Sequence, residues 1–286
     1  MRVLVLGASG MLGSAVFREF DGHAPHDVWG LVRNEAVLPY FSPAQQLRIL
    51  TGVDVLDDVA LRAAFERVRP DVVINCVGLI KQKEHVEDPL VVLPINAMLP
   101  HRLALLCATG NVRLLHVSTD CVFSGRKGMY TEDDLSDAED LYGKSKYIGE
   151  PRDAANVVTL RTSIVGRELN SSRALVDWFL AQQGSVHGFR RSIFSGMTTI
   201  ELARVMRDVV LPDPSLHGLY HVSSAPISKF DLLKLVAAQY EKTIDVLPDD
   251  ALVIDRSLDS SRFRQTTSYR APSWENMVRV MYEAEK

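Results

Sequence analysis

Short apolar runs rich in Val, Ile and Leu recur through the first half of the chain, at Val3–Leu6, Val28–Val32, Val72–Val77, Leu114–Ser118 and Val157–Arg161. Near-continuous apolar runs of this length suit parallel strands buried on both faces. Between them lie segments with helical spacing: Met11–Phe20, Asp58–Arg67, Val91–Cys107 and Leu141–Glu150. Asp58 is placed to cap the second, and Pro70 follows its end. Repeated strand–helix alternation predicts an α/β fold with a doubly wound parallel sheet.

The pattern changes after about residue 166. Ile200–Val210 reads as another helix and Gly218–Val222 as another strand. Ser228 followed by Asp231 is an acidic variant of a capping box, opening a helix to about Tyr240. Ile244–Leu247 reads as a short strand, the Asp-rich stretch to Asp255 as a solvated loop or rim, and Trp274–Glu283 as a terminal helix. The expected division is a first domain at 1–165, its sheet completed by about 192–223. A smaller C-terminal α/β lobe would comprise 166–191 and 224–286. There is no internal repeat and no low-complexity tract.

Composition narrows the classes. Of 286 residues, 47% are hydrophobic, which is ample for a large core. A formal net charge of −4 gives no basic footprint for a nucleic acid polymer. No apolar run approaches the ~20 residues of a membrane span, so no membrane association is expected. Met1-Arg2 leads directly into the first strand, and no signal peptide is expected. Cys76, Cys107 and Cys121 are odd in number with no C-x-x-C pair. They fit reduced cysteines in a cytoplasmic protein, with Cys76 and Cys107 as small core residues. The eight His show no ligand spacing, and no metal site is expected.

Gly7-Ala8-Ser9-Gly10-Met11-Leu12-Gly13 follows the first strand and opens the first helix. Glycines permit a tight turn and close backbone approach to a pyrophosphate, and the helix N-terminus offers free N–H groups and a favourable dipole. The spacing is G-x-x-G-x-x-G, not the G-x-G-x-x-G of the usual dinucleotide fingerprint. The residue ending the second strand helps choose the ligand: an acid there would bind a ribose hydroxyl, an arginine a 2′-phosphate. That place holds Arg33, so NADP(H) is favoured and NAD(H) is the alternative; the plainer reading of Arg33 is a solvated loop cation. Asp54-Val55 is placed to contact the adenine, or Asp54 is a simple turn residue.

Tyr142 and Lys146 stand four apart, on one face of a predicted helix. A phenol beside an ammonium can donate a proton, because the positive charge stabilises the phenolate left behind. Upstream lies Ser118-Thr119-Asp120-Cys121. With these motifs in order, the chain resembles an extended short-chain dehydrogenase/reductase, and within it the 4-dehydrorhamnose reductase branch that acts on nucleotide-linked sugars. The matching segments are Gly7–Gly13, Asp54-Val55, Asn75-Cys76-Val77-Gly78, Ser118–Gly125, Tyr142–Lys146 with Gly149-Glu150, and Arg161–Ser163. Weaker likeness continues through Ser195–Thr199 and Arg256–Leu258.

The resemblance implies a Rossmann-type domain holding the nicotinamide dinucleotide. Thr119 would bind a substrate carbonyl, Tyr142 would protonate it, and Lys146 would lower the tyrosine pKa and hold the nicotinamide ribose. Asn75, Cys76, Val77, Gly78 and Ser118 would line the cofactor, and Asn96 resembles an asparagine that supports the site. Asp120, Cys121, Lys81 and Arg256 are substrate-binding candidates, with Gln82, Arg190, Arg191, Ser195 and Thr198 as weaker ones. Trp178 reads as core. Dehydratases of this superfamily carry Asp-Glu after the threonine; Asp120-Cys121 lacks that Glu and fits a keto reductase. The expected substrate is a nucleoside-diphosphate sugar with a 4-keto, 6-deoxy unit. The alternatives are a sugar-nucleotide epimerase and a non-catalytic regulatory subunit of the same fold. Relatives pair through two helices, so a homodimer is expected, with Asn96–Cys107 as a candidate interface.

Overall fold

The computed structural model describes residues 1–23, 25–80 and 87–285. Seven parallel strands form one sheet: β1 (Arg2–Leu6), β2 (Asp27–Leu31), β3 (Ile49–Leu50), β4 (Val72–Asn75), β5 (Arg113–Thr119), β6 (Val157–Thr162) and β7 (Gly218–His221). Their spatial order is β7-β6-β5-β4-β1-β2-β3. The direction of winding reverses between β1 and β4, and the loops leaving these two strands open a crevice at the sheet's carboxyl edge. In open α/β sheets that crevice is where ligands bind.

One face of the sheet carries α1 (Met11–Phe20), whose Leu12, Val16, Phe17 and Phe20 are buried at helical spacing. It packs against the helix Thr199–Val205. The other face carries α2 (Asp58–Val68), α3 (Pro89–Thr109) and α4 (Leu141–Ile148). Central strands are therefore apolar on both sides, as β4 (VVIN, all buried) shows. The cap of α2 is Asp57, not Asp58: its carboxylate accepts the Val59 and Ala60 N–H groups. Asp58 falls in the first turn, where an acid also favours the dipole.

The third helix is longer than its apolar spacing suggests, and it is interrupted. Pro94 has no N–H to give the preceding turn, and residues Pro94–Met98 adopt a π turn. The whole of Pro89–Thr109 is long and apolar enough to cross a membrane by length and composition, contrary to the sequence expectation. Here 44% of its most apolar 18-residue window is buried. Asn96, His101 and Arg102 break its apolar run in the sequence.

Beyond β6 the chain builds three small sheets. Ile164–Val165 pairs with Met197–Thr198. Ser185–Phe189 pairs with Asp245–Asp249. Ser192–Phe194 pairs with Ile227–Ser228 and Ile254–Asp255. Of the stretch expected to complete the large sheet, only Gly218–His221 does so; the strands at 192–198 belong to the small sheets. The Asp-rich stretch is strand at both ends, not loop throughout. Trp178 is 38% exposed, while Val176, Asp177 and Phe179 of the same helix are buried. It is not the core residue expected, because the helix turns only its 176/179 edge inward.

Candidate active site

Tertiary contact, more than turn preference, dictates the glycine loop. Gly7 has φ +79° and a Cβ there would sit 3.1 Å from Val77 Cγ2, where the loops after β1 and β4 touch. A Cβ on Gly13 would lie 2.1 Å from the Gly7 carbonyl oxygen, so only glycine lets the first turn of α1 close over the loop. Gly10 is the N-cap, has no side-chain cap, and the first turn of α1 carries no acid. Its early N–H groups thus face the crevice with no competing anion, as a pyrophosphate requires. Ser9 and Met11 are partly exposed at this mouth; Leu12 belongs to the core through its side chain, leaving only its backbone for a ligand.

Arg33 is exposed just past β2. The Val53 N–H bonds the Val32 carbonyl at 3.4 Å, which brings Asp54 and Val55 alongside. Asp54 is exposed, with one carboxylate oxygen accepting the Leu56 N–H as in a simple turn; Val55 is buried. Past β4, Asn75 is held from both ends. Its Oδ1 accepts the Val77 N–H at 3.1 Å and its Nδ2 donates to His116 Nδ1 at 3.1 Å. Asn96, 1% exposed inside the π turn, fixes the same loop by exchanging hydrogen bonds with Leu79 N and O. Its Nδ2 also reaches Ser145 Oγ at 3.3 Å, and Ser145 Oγ donates to the Tyr142 carbonyl. The loop after β4 and the helix bearing Tyr142 are thereby locked together. Gly149 completes the lock, since a Cβ there would lie 1.9 Å from the Asn96 carbonyl oxygen. Asn96 is not a surface amide, and Ser145 was missed by sequence reasoning; its only signal was a small residue inside the Tyr-x-x-x-Lys interval.

Thr119 ends β5 at the crevice. Its hydroxyl donates to Asp120 Oδ1 at 3.0 Å and accepts the Cys121 N–H at 3.1 Å. The Tyr142 phenol lies close enough to the Thr119 side chain to be influenced by it, so the structure brings the two residues together. Gly143 lets α4 approach: a Cβ there would lie 2.2 Å from the Cys121 carbonyl oxygen. Lys146, 5% exposed, donates from Nζ to the Val117 carbonyl at 2.8 Å. Burial pulls its ammonium down to about 8, although Glu150 and Cys76 pull it back up. Burial also pushes the Cys76 thiol to about 12.

Lys146 is not among the leading influences on the Tyr142 phenol. Burial, then the neighbouring Cys121, raises the phenol well above its ordinary value; the Thr119 side chain pulls the other way and does not win. The Lys146 ammonium is instead engaged by the Val117 carbonyl of β5. Tyr142 is accordingly a neutral phenol near pH 7, the state a proton donor needs.

Other placements differ from expectation. Ser118 does not face the crevice; its Oγ donates to Glu150 Oε1 at 2.6 Å on the opposite side of β5. Asp120 is 5% exposed and bound to Thr119, so it is not open to substrate. Ser195 Oγ accepts the Leu258 N–H and Thr198 caps a helix, both structural tasks. Arg190 is paired with Asp250 on the surface. Arg256 does reach the region: its Nε donates to the Phe123 carbonyl at 2.8 Å. It lines a cavity of about 560 Å³ with Arg126, Asp140 and Ile254. Asp140 of its lining is also the cap of α4, the helix that carries Tyr142. Cys121 is partly exposed next to Tyr142. Lys81 and Gln82 lie outside the described residues. Among the described residues no cluster could hold a metal ion.

The model of one family, the RmlD substrate binding domain, matches residues 1–286. Methionine adenosyltransferase 2 subunit beta of Danio rerio is 29% identical over 248 residues, covering 82% of this chain and 73% of that one. A probable low-salt glycan biosynthesis reductase of Haloferax volcanii is 29% identical over 272 residues, covering 90% and 84%. The structure of dTDP-4-dehydrorhamnose reductase from Bacillus anthracis, in complex with NADP, superimposes with a TM-score of 0.81 over 100% of this chain and 99% of that one, at 22% identity.

Proposed function

The chain belongs to the RmlD substrate binding domain family, and from that premise we propose that it reduces the 4-keto group of a nucleoside-diphosphate-linked 6-deoxy sugar with NADPH. The observation that carries this reading is the meeting of Thr119, Tyr142 and Lys146 at the carboxyl edge of the sheet. Beside them lies a glycine loop with an uncapped, acid-free helix N-terminus. That cradle suits a dinucleotide: the 7–13 loop would take its pyrophosphate, Arg33 a 2′-phosphate, and residues 75–78 with Lys146 the nicotinamide end. When bound, the nicotinamide supplies hydride.

Tyr142 carries the proton that the carbonyl oxygen must receive. Its buried, neutral phenol gives that proton up only when negative charge develops on the acceptor, which ties proton transfer to reduction. Lys146, buried and charged below about pH 8, limits the cost of the phenolate once it turns from the Val117 carbonyl. Arg256 and the cavity beside Asp140 offer a place for the diphosphate end of the substrate.

The proposed assembly is a homodimer. Val91, Met98 and Leu105 recur at seven-residue intervals along α3 and stay exposed, with exposed Ile148 of α4 nearby through the His101 Nε2 contact to its carbonyl. Such a stripe suits helix-to-helix pairing.

A second reading, a non-catalytic regulatory subunit, is favoured by the likeness to methionine adenosyltransferase 2 subunit beta. A panel of nucleotide-linked 4-keto sugars, followed by NADPH absorbance, separates the two. Turnover of one member supports the reductase; NADPH binding with no turnover across the panel supports the subunit.

A further inference from the structure

We propose that His116 is a positioning residue: through Asn75 it sets the loop after β4, residues 75–78, against the glycine loop. This rests on the dinucleotide reading of the same crevice.

Asn75, His116 and Thr159 are register partners on the adjacent strands β4, β5 and β6, and they form one buried polar row across the sheet. The chemistry of this row admits one arrangement. A backbone N–H can only donate, so the Asn75 atom 3.1 Å from the Val77 N–H is its carbonyl oxygen. The other end of that amide is an NH2, which can only donate. It meets His116 Nδ1 at 3.1 Å, so Nδ1 must be the bare, accepting nitrogen. A neutral imidazole then carries its one proton on Nε2. Neither the opposite tautomer nor an imidazolium fits, because each places an N–H against the Asn75 NH2. Burial, helped by Lys146 of α4 and His101 of α3, keeps the ring uncharged.

A histidine is a poor choice for filling this space alone. It is fully buried, and the Nε2–H that its tautomer requires has no hydrogen-bond partner among the described residues. Thr159 Oγ1, next in the row, has none either. An unpartnered buried donor destabilises a fold, and a leucine would bring no such donor. What a leucine could not supply is the Nδ1 lone pair, which makes the ring's hydrogen bond to Asn75.

The lock reaches the mouth of the crevice in two steps. Asn75 holds the Val77 N–H, and Cys76 with Val77 is the wall on which Gly7 closes. A Cβ on Gly7 would lie 3.1 Å from Val77 Cγ2 and 3.3 Å from both the Cys76 carbonyl carbon and the Val77 nitrogen. A contact that tight transmits movement, so a shift of Val77 disturbs the loop that would take the pyrophosphate as well as the one beside the nicotinamide. Asn96 holds the far end of the same loop at Leu79. His116 and Asn96 thus pin it from two sides.

The test uses the whole chain. In wild type labelled with ¹⁵N-histidine at neutral pH, His116 should show an unprotonated Nδ1 and a protonated Nε2; the reverse tautomer overturns the proposal. His116→Leu removes the acceptor, whereas His116→Asn keeps an accepting oxygen where Nδ1 stood. His116→Leu should exchange the Val77 amide hydrogen at least about twofold faster and weaken NADPH by about two- to tenfold, the range of one net hydrogen bond. Thermal unfolding should stay cooperative, and His116→Asn should recover most of both losses. In an Asn75→Ala background His116→Leu should add nothing further, because its effect runs through Asn75. Unchanged Val77 exchange in His116→Leu, no recovery in His116→Asn, or additive losses in the double variant each overturn the proposal. The exchange readout needs no nucleotide. Faster Val77 exchange in His116→Leu, with a wild type that binds neither NADPH nor NADH, upholds the lock and strikes the dinucleotide reading instead.

Discussion

Replacing Glu150 with alanine tests how the site is held to the sheet. The Glu150 carboxylate accepts Ser118 Oγ at 2.6 Å, Arg161 Nε and Nη2 at 2.7 Å each, and Arg152 Nη2 at 2.7 Å. Both Glu150 and Arg161 side chains are fully buried. Arg161 cannot shed its proton, and its other neighbour, His221 at 3.2 Å, is kept neutral by burial and by Arg161 itself. Alanine at 150 therefore strands a guanidinium inside the protein, a loss of about 3–5 kcal/mol out of a total stability on the order of 5–15 kcal/mol. Urea unfolding at neutral pH measures it directly. Adding Arg161→Met should recover most of the loss, because an apolar pair needs no counter-charge.

The pH dependence has a definite sign. Burial pushes the Glu150 carboxyl up, but Arg161, Ser118 and Arg152 together outweigh it and the net direction is down. A depressed carboxyl stabilises the fold above its unfolded value of about 4.3 and ceases to do so as pH falls through the folded value. The gap between wild type and Glu150→Ala should thus narrow in acid. A loss below about 1 kcal/mol at neutral pH, or a gap that does not narrow, refutes the reasoning.

Three further outcomes are expected. Arg33→Ala should weaken NADPH by about tenfold or more and leave NADH nearly unaffected, by titration of cofactor fluorescence; equal losses remove Arg33 from a 2′-phosphate site. Gly13→Ala should abolish NADPH binding while thermal unfolding stays cooperative, because its methyl must displace the Gly7 carbonyl from 2.1 Å. Leu105→Glu should convert a dimer to a monomer in sedimentation velocity; a monomeric wild type removes the dimer proposal.

The large sheet was legible because its strands are buried on both faces, and such strands need unbroken Val, Ile and Leu. The C-terminal half lacks such unbroken apolar runs. Ser185–Phe189 and Ser192–Phe194 are short, partly exposed strands whose pairing comes from residues dozens of positions away. Thr119, Tyr142 and Lys146 were singled out through the family resemblance that their order and spacing carry, and the structure places them at the end of β5 and on α4. Their hydrogen-bond commitments were not legible, because which carbonyl Lys146 meets, or which oxygen binds the Thr119 proton, depends on how β5 and α4 dock. Ser118 shows the limit plainly: one position before Thr119, it points to the other face of the sheet and serves Glu150. Asn96 was visible only as one polar residue in an apolar helix, and its role needed the π turn that Pro94 imposes.

Tyr142→Phe is the most direct test of the central claim that this phenol delivers the proton. Turnover of a nucleotide-linked 4-keto sugar and NADPH affinity would be measured on the same preparation. The account predicts a fall in kcat of about 10²–10⁴-fold with the NADPH dissociation constant nearly unchanged. A fully active Tyr142→Phe enzyme would contradict it.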